Sequence, residues 1–116
     1  MNVDTITRIF KIFSDCDTNI DYSDIIQSAI DDITAILLDS SYSTDNRLNA
    51  VCGSLANLRY QQFMSSRDRL NYTYAGTVSQ QHDGKQQLED AYGLFYSYLF
   101  GVKDLVKDAE FFFSTV

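Results

Sequence analysis

The longest periodic stretch of the chain is Lys85–Val106. Its large apolar positions are Leu88, Ala91/Tyr92, Phe95, Tyr98/Leu99, Val102 and Leu105/Val106, in steps that alternate between three and four. Side chains at that spacing share one face of an α-helix, so the pattern predicts a single helix with one buried stripe. At 1.5 Å per residue it would be about 33 Å long. Asp83-Gly84, just before it, reads as a turn. Glu89 and Asp90 near its start, and Lys103 and Lys107 near its end, suit the helix dipole. Gly93 and Gly101 interrupt the pattern, each lowering helix propensity by about 1 kcal/mol relative to alanine. Their spacing puts them on one face, where they are expected to let a neighbouring backbone come close.

Three earlier stretches supply partners for that stripe. Val3–Phe13 places Ile6, Ile9/Phe10 and Phe13 on one side of a short helix, with Asp4 and Thr5 as its caps. Ser23 is the expected N-cap of a second helix running to about Leu38, striped by Ile26, Ile30, Ile33 and Leu37. That helix is rich in β-branched residues, so packing rather than propensity must hold it. Ser43 or Thr44 is expected to cap a third helix reaching about Arg69. Its stripe is Leu48, Val51/Cys52, Leu55, Leu58/Arg59 and Phe63, with Ala50 and Ala56 permitting close packing. Proline is absent, which suits uninterrupted helices. The expected fold is an all-α bundle of about four helices, one domain over residues 1–116.

Two segments depart from helical periodicity. Between Asn71 and Gly84, Tyr72, Tyr74 and Val78 alternate around Gly76. That pattern predicts extended backbone or a loose hairpin between the last two long helices. Its unpaired backbone groups would be free to add a strand to a neighbour. At the other extreme, Asp108–Val116 carries Phe111, Phe112 and Phe113. Burying one such ring is worth about 1.5–3 kcal/mol, so these rings are expected to dock on their own domain or on another subunit, as aromatic anchors do at interface centres.

Composition and charge narrow the chemistry. The net charge is −7 with one histidine and no basic stripe, which argues against a free nucleic-acid binder. From Asp15 to Asp45 there are eight aspartates and no lysine or arginine, whereas Arg59, Arg67 and Arg69 make the third helix a natural match for the acidic second. No run of about 18 apolar residues exists to cross a membrane, and Met1–Ser14 lacks the features of a signal peptide. Cys16 and Cys52 read as free thiols of an intracellular chain.

Catalytic and metal chemistry are poorly supplied. His82 lies beside Asp83 in a polar stretch, with no nucleophile held against it. Neighbouring carboxylates such as Asp31-Asp32 and Glu89-Asp90 point in different directions on a helix and do not share a proton. Phosphate-binding glycine patterns are absent, and three Cys/His residues cannot close a zinc site. Asp15-x-Asp17-x-Asn19-x-Asp21 has the alternating oxygen ligands of a calcium loop. Ile20 stands where the turn glycine belongs, however, and Ile26 where the bidentate Glu belongs. No catalytic, cofactor-binding or metal-ligating residue is therefore assigned. A small intracellular binding or regulatory module, calcium-responsive through Asp15–Asp21, stands as the alternative reading.

In order, the chain presents an acidic N-terminal helix pair, then Leu55-Ala56-Asn57-Leu58-Arg59-Tyr60 in the third helix, then Tyr74-Ala75-Gly76-Thr77-Val78. Lys85…Leu88-Glu89-Asp90-Ala91 opens the last helix, and Asp108…Phe111-Phe112-Phe113-Ser114-Thr115-Val116 ends the sequence. Over most of residues 20–116 this order resembles the small head–tail connector (adaptor) proteins of tailed bacteriophages and prophages. The resemblance implies a non-enzymatic virion protein of the neck, assembled in the host cytoplasm. Copies would form a ring, twelvefold by analogy, beneath the portal protein. The ring would extend the DNA channel and give the next neck, stopper or tail protein a platform. The resemblance also makes Tyr72, Tyr74, Gly76, Val78, Phe111, Phe112, Phe113 and Val116 the partner-binding residues. The tail would dock on the portal or an adjacent copy, and the loop would line the ring or reach its neighbour. Channel walls without Lys or Arg would exchange no counterions with passing phosphates, so DNA would not be held.

Overall fold

The computed structural model describes residues 1–15, 21–75 and 78–107, with side chains for all of these except 66–75 and 78–85. The described residues form four α-helices and one short 3₁₀ turn: α1 (Val3–Ser14), α2 (Ser23–Ala35), the 3₁₀ turn (Ser40–Thr44), α3 (Arg47–Ala75) and α4 (Val78–Gly101). The fold is an all-α bundle, as expected. The described residues contain no strand beyond one isolated antiparallel bridge between Leu37 and Val106.

The stripes read from the sequence form the core. Ile6 and Phe10 of α1, Ile26, Ile30 and Ile33 of α2, Leu48, Val51, Leu55 and Leu58 of α3, and Phe95 and Leu99 of α4 are all buried together. Helix α3 is the axis. Helix α1 runs parallel to it, from the Asn2 N–H on Asn49 Oδ1 (2.9 Å) to Phe10 against Tyr60. Helix α2 runs antiparallel, from Tyr22 against Tyr60, past Ser28 and Asp32 against Arg59. Phe10, Tyr22 and Tyr60 meet edge to face with centroids 5.4, 5.5 and 5.8 Å apart. That geometry adds about 0.5–1.5 kcal/mol per pair beyond area burial.

The closest helix contact is at Gly53. A Cβ there would lie 2.6 Å from Ile9 Cγ2 and 3.0 Å from Ile9 Cβ. Alanine was the residue expected to allow close packing; Ala56 is buried, but the position where α1 presses in is Gly53. Gly93 and Gly101 do not play the part expected of them. Both are exposed, with nothing within 4 Å of an added Cβ.

Helix ends also differ from expectation. Asn2, not Asp4 or Thr5, caps α1, its Oδ1 accepting the Thr5 N–H at 3.1 Å. Helix α2 has Tyr22 at its cap position, and Asp21 Oδ1 accepts the Ser23 N–H at 2.9 Å. Asp45, rather than Ser43 or Thr44, accepts the Arg47 N–H at the start of α3. In each case a carboxylate or amide two or three residues before the exposed N–H reaches it better than the expected residue does. Helix α4 ends at Gly101, five residues early. Bonds from Val102 N–H to Leu99 O and from Leu105 N–H to Val102 O tighten the chain into turns that keep Val102, Leu105 and Val106 buried.

The main correction concerns Asn71–Gly84, whose described residues, 71–75 and 78–84, are helical rather than extended. Tyr72 and Tyr74 belong to α3, Val78 opens α4, and His82 and Asp83-Gly84 lie inside α4. Two residues separate the helices, a connection length typical of antiparallel helix neighbours. The modest β-propensity of Tyr and Thr does not prevent the two long helices from continuing through this stretch.

Candidate interaction surface

The arrangement of helices gives the molecule two distinct ends. Helices α1 and α2 meet α3 between Asn49 and Gln61. From Gln62 onward α3 runs beside α4, where Gln62 Nε2 donates to Tyr92 Oη at 2.8 Å. That leaves 14 residues of α3, about 21 Å of helix, as a two-helix arm beyond the four-helix body. The molecule measures 50 × 33 × 17 Å, elongated as such an arm requires. Phe63 stands at the root of the arm and is 61% exposed.

At the opposite end, which we call the base, α4 gives way to a stretch stapled onto the segment after α2. The Leu38 N–H donates to Leu105 O (2.9 Å) and the Lys107 N–H to Ile36 O (2.7 Å). Arg47 closes the same end by pairing with Asp45 (3.0 Å) and Asp104 (3.3 Å). Leu38 is 53% exposed there and Phe100 58%, with the Lys103 ammonium 4.4 Å from the centre of the Phe100 ring. Between the start of α3 and the end of α4 lies a notch of about 200 Å³, lined by Arg47, Ala50, Tyr98, Gly101 and Val102. The preformed wall is mostly apolar, and its volume would take one aromatic ring.

Of the residues expected to bind partners, Tyr72, Tyr74 and Val78 fall in the arm, at or next to its tip. Gly76, Phe111, Phe112, Phe113 and Val116 lie outside the described residues. The chain leaves the described fold at Lys107, at the base. The two contact segments read from the sequence are therefore rooted at opposite ends of the α3–α4 pair. Sequence reasoning missed Phe63, which it placed in the buried stripe, and Leu38 and Phe100. Phe100 sits one residue past the Leu99 stripe position, which was the available signal.

Electrostatics of this surface follow from its caps. The Arg47 side chain and N–H hold the Asp45 carboxyl below its ordinary value of 3.8, and the Ser41 and Ser23 N–H groups do the same for Asp39 and Asp21. Asp31 and Asp24 are exposed on α2, whereas Asp32 is paired with Arg59 as the charge pattern predicted. Asp15 and Asp21, at either end of the proposed calcium loop, are exposed, and Asp21 is engaged with Ser23; the residues between them lie outside the described set. Cys52 is fully buried, which pushes its thiol up to about 12, so it is not a nucleophile. Among the described residues no helix is long and apolar enough to cross a membrane. Comparison of the chain with family models, with curated proteins and with solved structures finds no match.

Proposed function

We propose that the chain is a structural adaptor of the bacteriophage neck. Copies assemble as a ring under the portal, extend the DNA channel, and carry the next neck or tail protein. The two-ended build supports this reading. An adaptor must grip one partner while offering a second surface to another, and here a helical arm and the root of an aromatic tail are separated by the length of α3. A two-helix arm buries less of each helix than the body does, and helices so placed gain from a partner's surface. The notch at the base is sized for an aromatic side chain, such as one of Phe111–Phe113 of a neighbouring copy.

The stapled base gives the tail a fixed origin: Leu105 and Val106 are buried and the Lys107 N–H donates to Ile36 O. Truncation before Asp108 should leave helicity by circular dichroism nearly intact and abolish attachment to portal particles. Collapse of the helical signal would assign the tail to the core instead. Undiminished attachment would remove the tail from the interface.

A further inference from the structure

A second site lies on the flank of the body, in the cleft where the last turn of α1 faces the middle of α3 and α4. It has a volume of about 230 Å³. Ser14 lines it, is 8% exposed, and its Oγ has no hydrogen-bond partner among the described residues. A buried hydroxyl left in that state is uncommon, because the water it gave up has not been replaced. Beside it, Asn57 is 3% exposed and its Oδ1 already accepts from Gln61 Nε2 at 3.3 Å. The remaining polar lining is rich in acceptors. Asp15 and Asp90 bring carboxylates, and the C-terminal end of α1 brings its carbonyls. Asp90 Oδ1 is engaged by Gln86 Nε2 at 3.0 Å, which leaves the second oxygen to accept. None of the lining residues is basic. Phe13 and Leu94 form an apolar wall.

An apolar wall leading to a cluster of acceptors with net negative charge fits a molecule with a short alkyl stem and a cationic head that donates N–H bonds. We propose that this cleft binds an alkylammonium or alkylguanidinium group, either a lysyl or arginyl side chain of a partner protein or a free diamine. The stem lies against Phe13 and Leu94, and the head reaches Ser14 Oγ and Asp90. The site does not depend on the adaptor reading and stands or falls separately.

The test is an amide-resolved NMR titration of the full chain with three probes: cadaverine, Nα-acetyl-arginine methylamide, and n-butanol as the neutral isostere. At least one cation should give saturable shifts at Ser14, Asn57 and Leu94, with a Kd of about 1 mM, as expected for a small cation held by a few charge-assisted bonds. Butanol should not. Binding of the blocked arginine identifies a protein side chain as a fitting source; binding of cadaverine alone identifies a primary alkylammonium, which Nα-acetyl-lysine methylamide, titrated next, assigns to a lysyl side chain if it binds and to a free diamine if it does not. Asp90→Asn and Ser14→Ala should each weaken binding by roughly fivefold or more, whereas Asp31→Asn, on exposed α2 surface, should not. Butanol shifts equal to those of the cations, binding unchanged by Asp90→Asn, or the absence of saturable shifts with either cation would overturn the proposal.

Discussion

Replacing Gly53 by alanine puts a methyl group where Ile9 already stands. The added Cβ would lie 2.6 Å from Ile9 Cγ2 and 3.0 Å from Ile9 Cβ. Neither atom is the loose end of a long side chain. Both sit at the branch point, and a β-branched residue inside a helix has one strongly favoured rotamer. Relief therefore requires α1 to move off α3, and overpacking of this kind costs about 1–3 kcal/mol. Against that stands the gain from replacing glycine in a helix interior, about 1 kcal/mol. The expected net loss is about 0–2 kcal/mol, which in a domain of this size lowers Tm by up to roughly 10 °C. Gly93→Ala is the matched control, because nothing lies within 4 Å of its added Cβ. It should gain about 0.5–1 kcal/mol from propensity and the unfolded chain alone. Urea denaturation followed at 222 nm reads both, with an unchanged m-value as the check that only stability moved. In an Ile9→Ala background the loss from Gly53→Ala should shrink, giving a coupling energy between the two positions. If Gly53→Ala stabilised the protein as much as Gly93→Ala, the close approach of α1 to α3 would be refuted.

Phe95 is 1% exposed in the centre of the core, so Phe95→Ala should lose about 3–5 kcal/mol in the same assay; a loss under about 1 kcal/mol would show that α4 presents another face. The carboxyls of Asp21, Asp39 and Asp45 are held below 3.8 by the N–H groups they accept in the fold. Their folded values lie below the unfolded ones, so their contribution is complete above pH 3.8 and is lost as the pH falls through and below it. Tm should fall on acidification, and Asp45→Asn, which keeps an acceptor but cannot titrate, should fall less; an equal drop would remove Asp45 from the acid response. In a Cys16→Ser background, the Cys52 thiol should react with a disulfide reagent at pH 8 on the order of 100-fold more slowly folded than in urea. Equal rates would contradict its burial.

Much of the body was legible in the sequence because its stripes are long and regular. The apolar sets of α1, α2, α3 and α4 each predicted a buried face, and Ile26–Ile33, Leu48–Leu58 and Phe95–Leu99 lie where that periodicity puts them. The pairing of Arg59 with α2 was legible from charge. The arm was not legible, because Tyr72, Thr73 and Tyr74 have no strong local preference for helix. With propensities so balanced, context outside the segment decides its state, and one-dimensional patterns do not report that context. Nor could the sequence tell a glycine that admits a neighbouring helix from one that faces solvent. Gly53, Gly93 and Gly101 look alike until α1 is placed against α3. The cleft at Ser14 combines residues from three helices and has no local pattern at all.

The gene neighbours of this chain offer a quick check on the adaptor reading, since flanking portal and capsid genes support it and metabolic neighbours count against it. The most direct measurement is electron cryomicroscopy of the full chain mixed with the portal ring encoded in the same genome. The expected result is a closed ring of copies seated on the portal, joined through the tail at the base or the tip of the α3–α4 arm, with the DNA channel continued through its centre. A single copy that keeps tail and arm tip packed within itself, and makes no contact with the portal or with other copies, would contradict it.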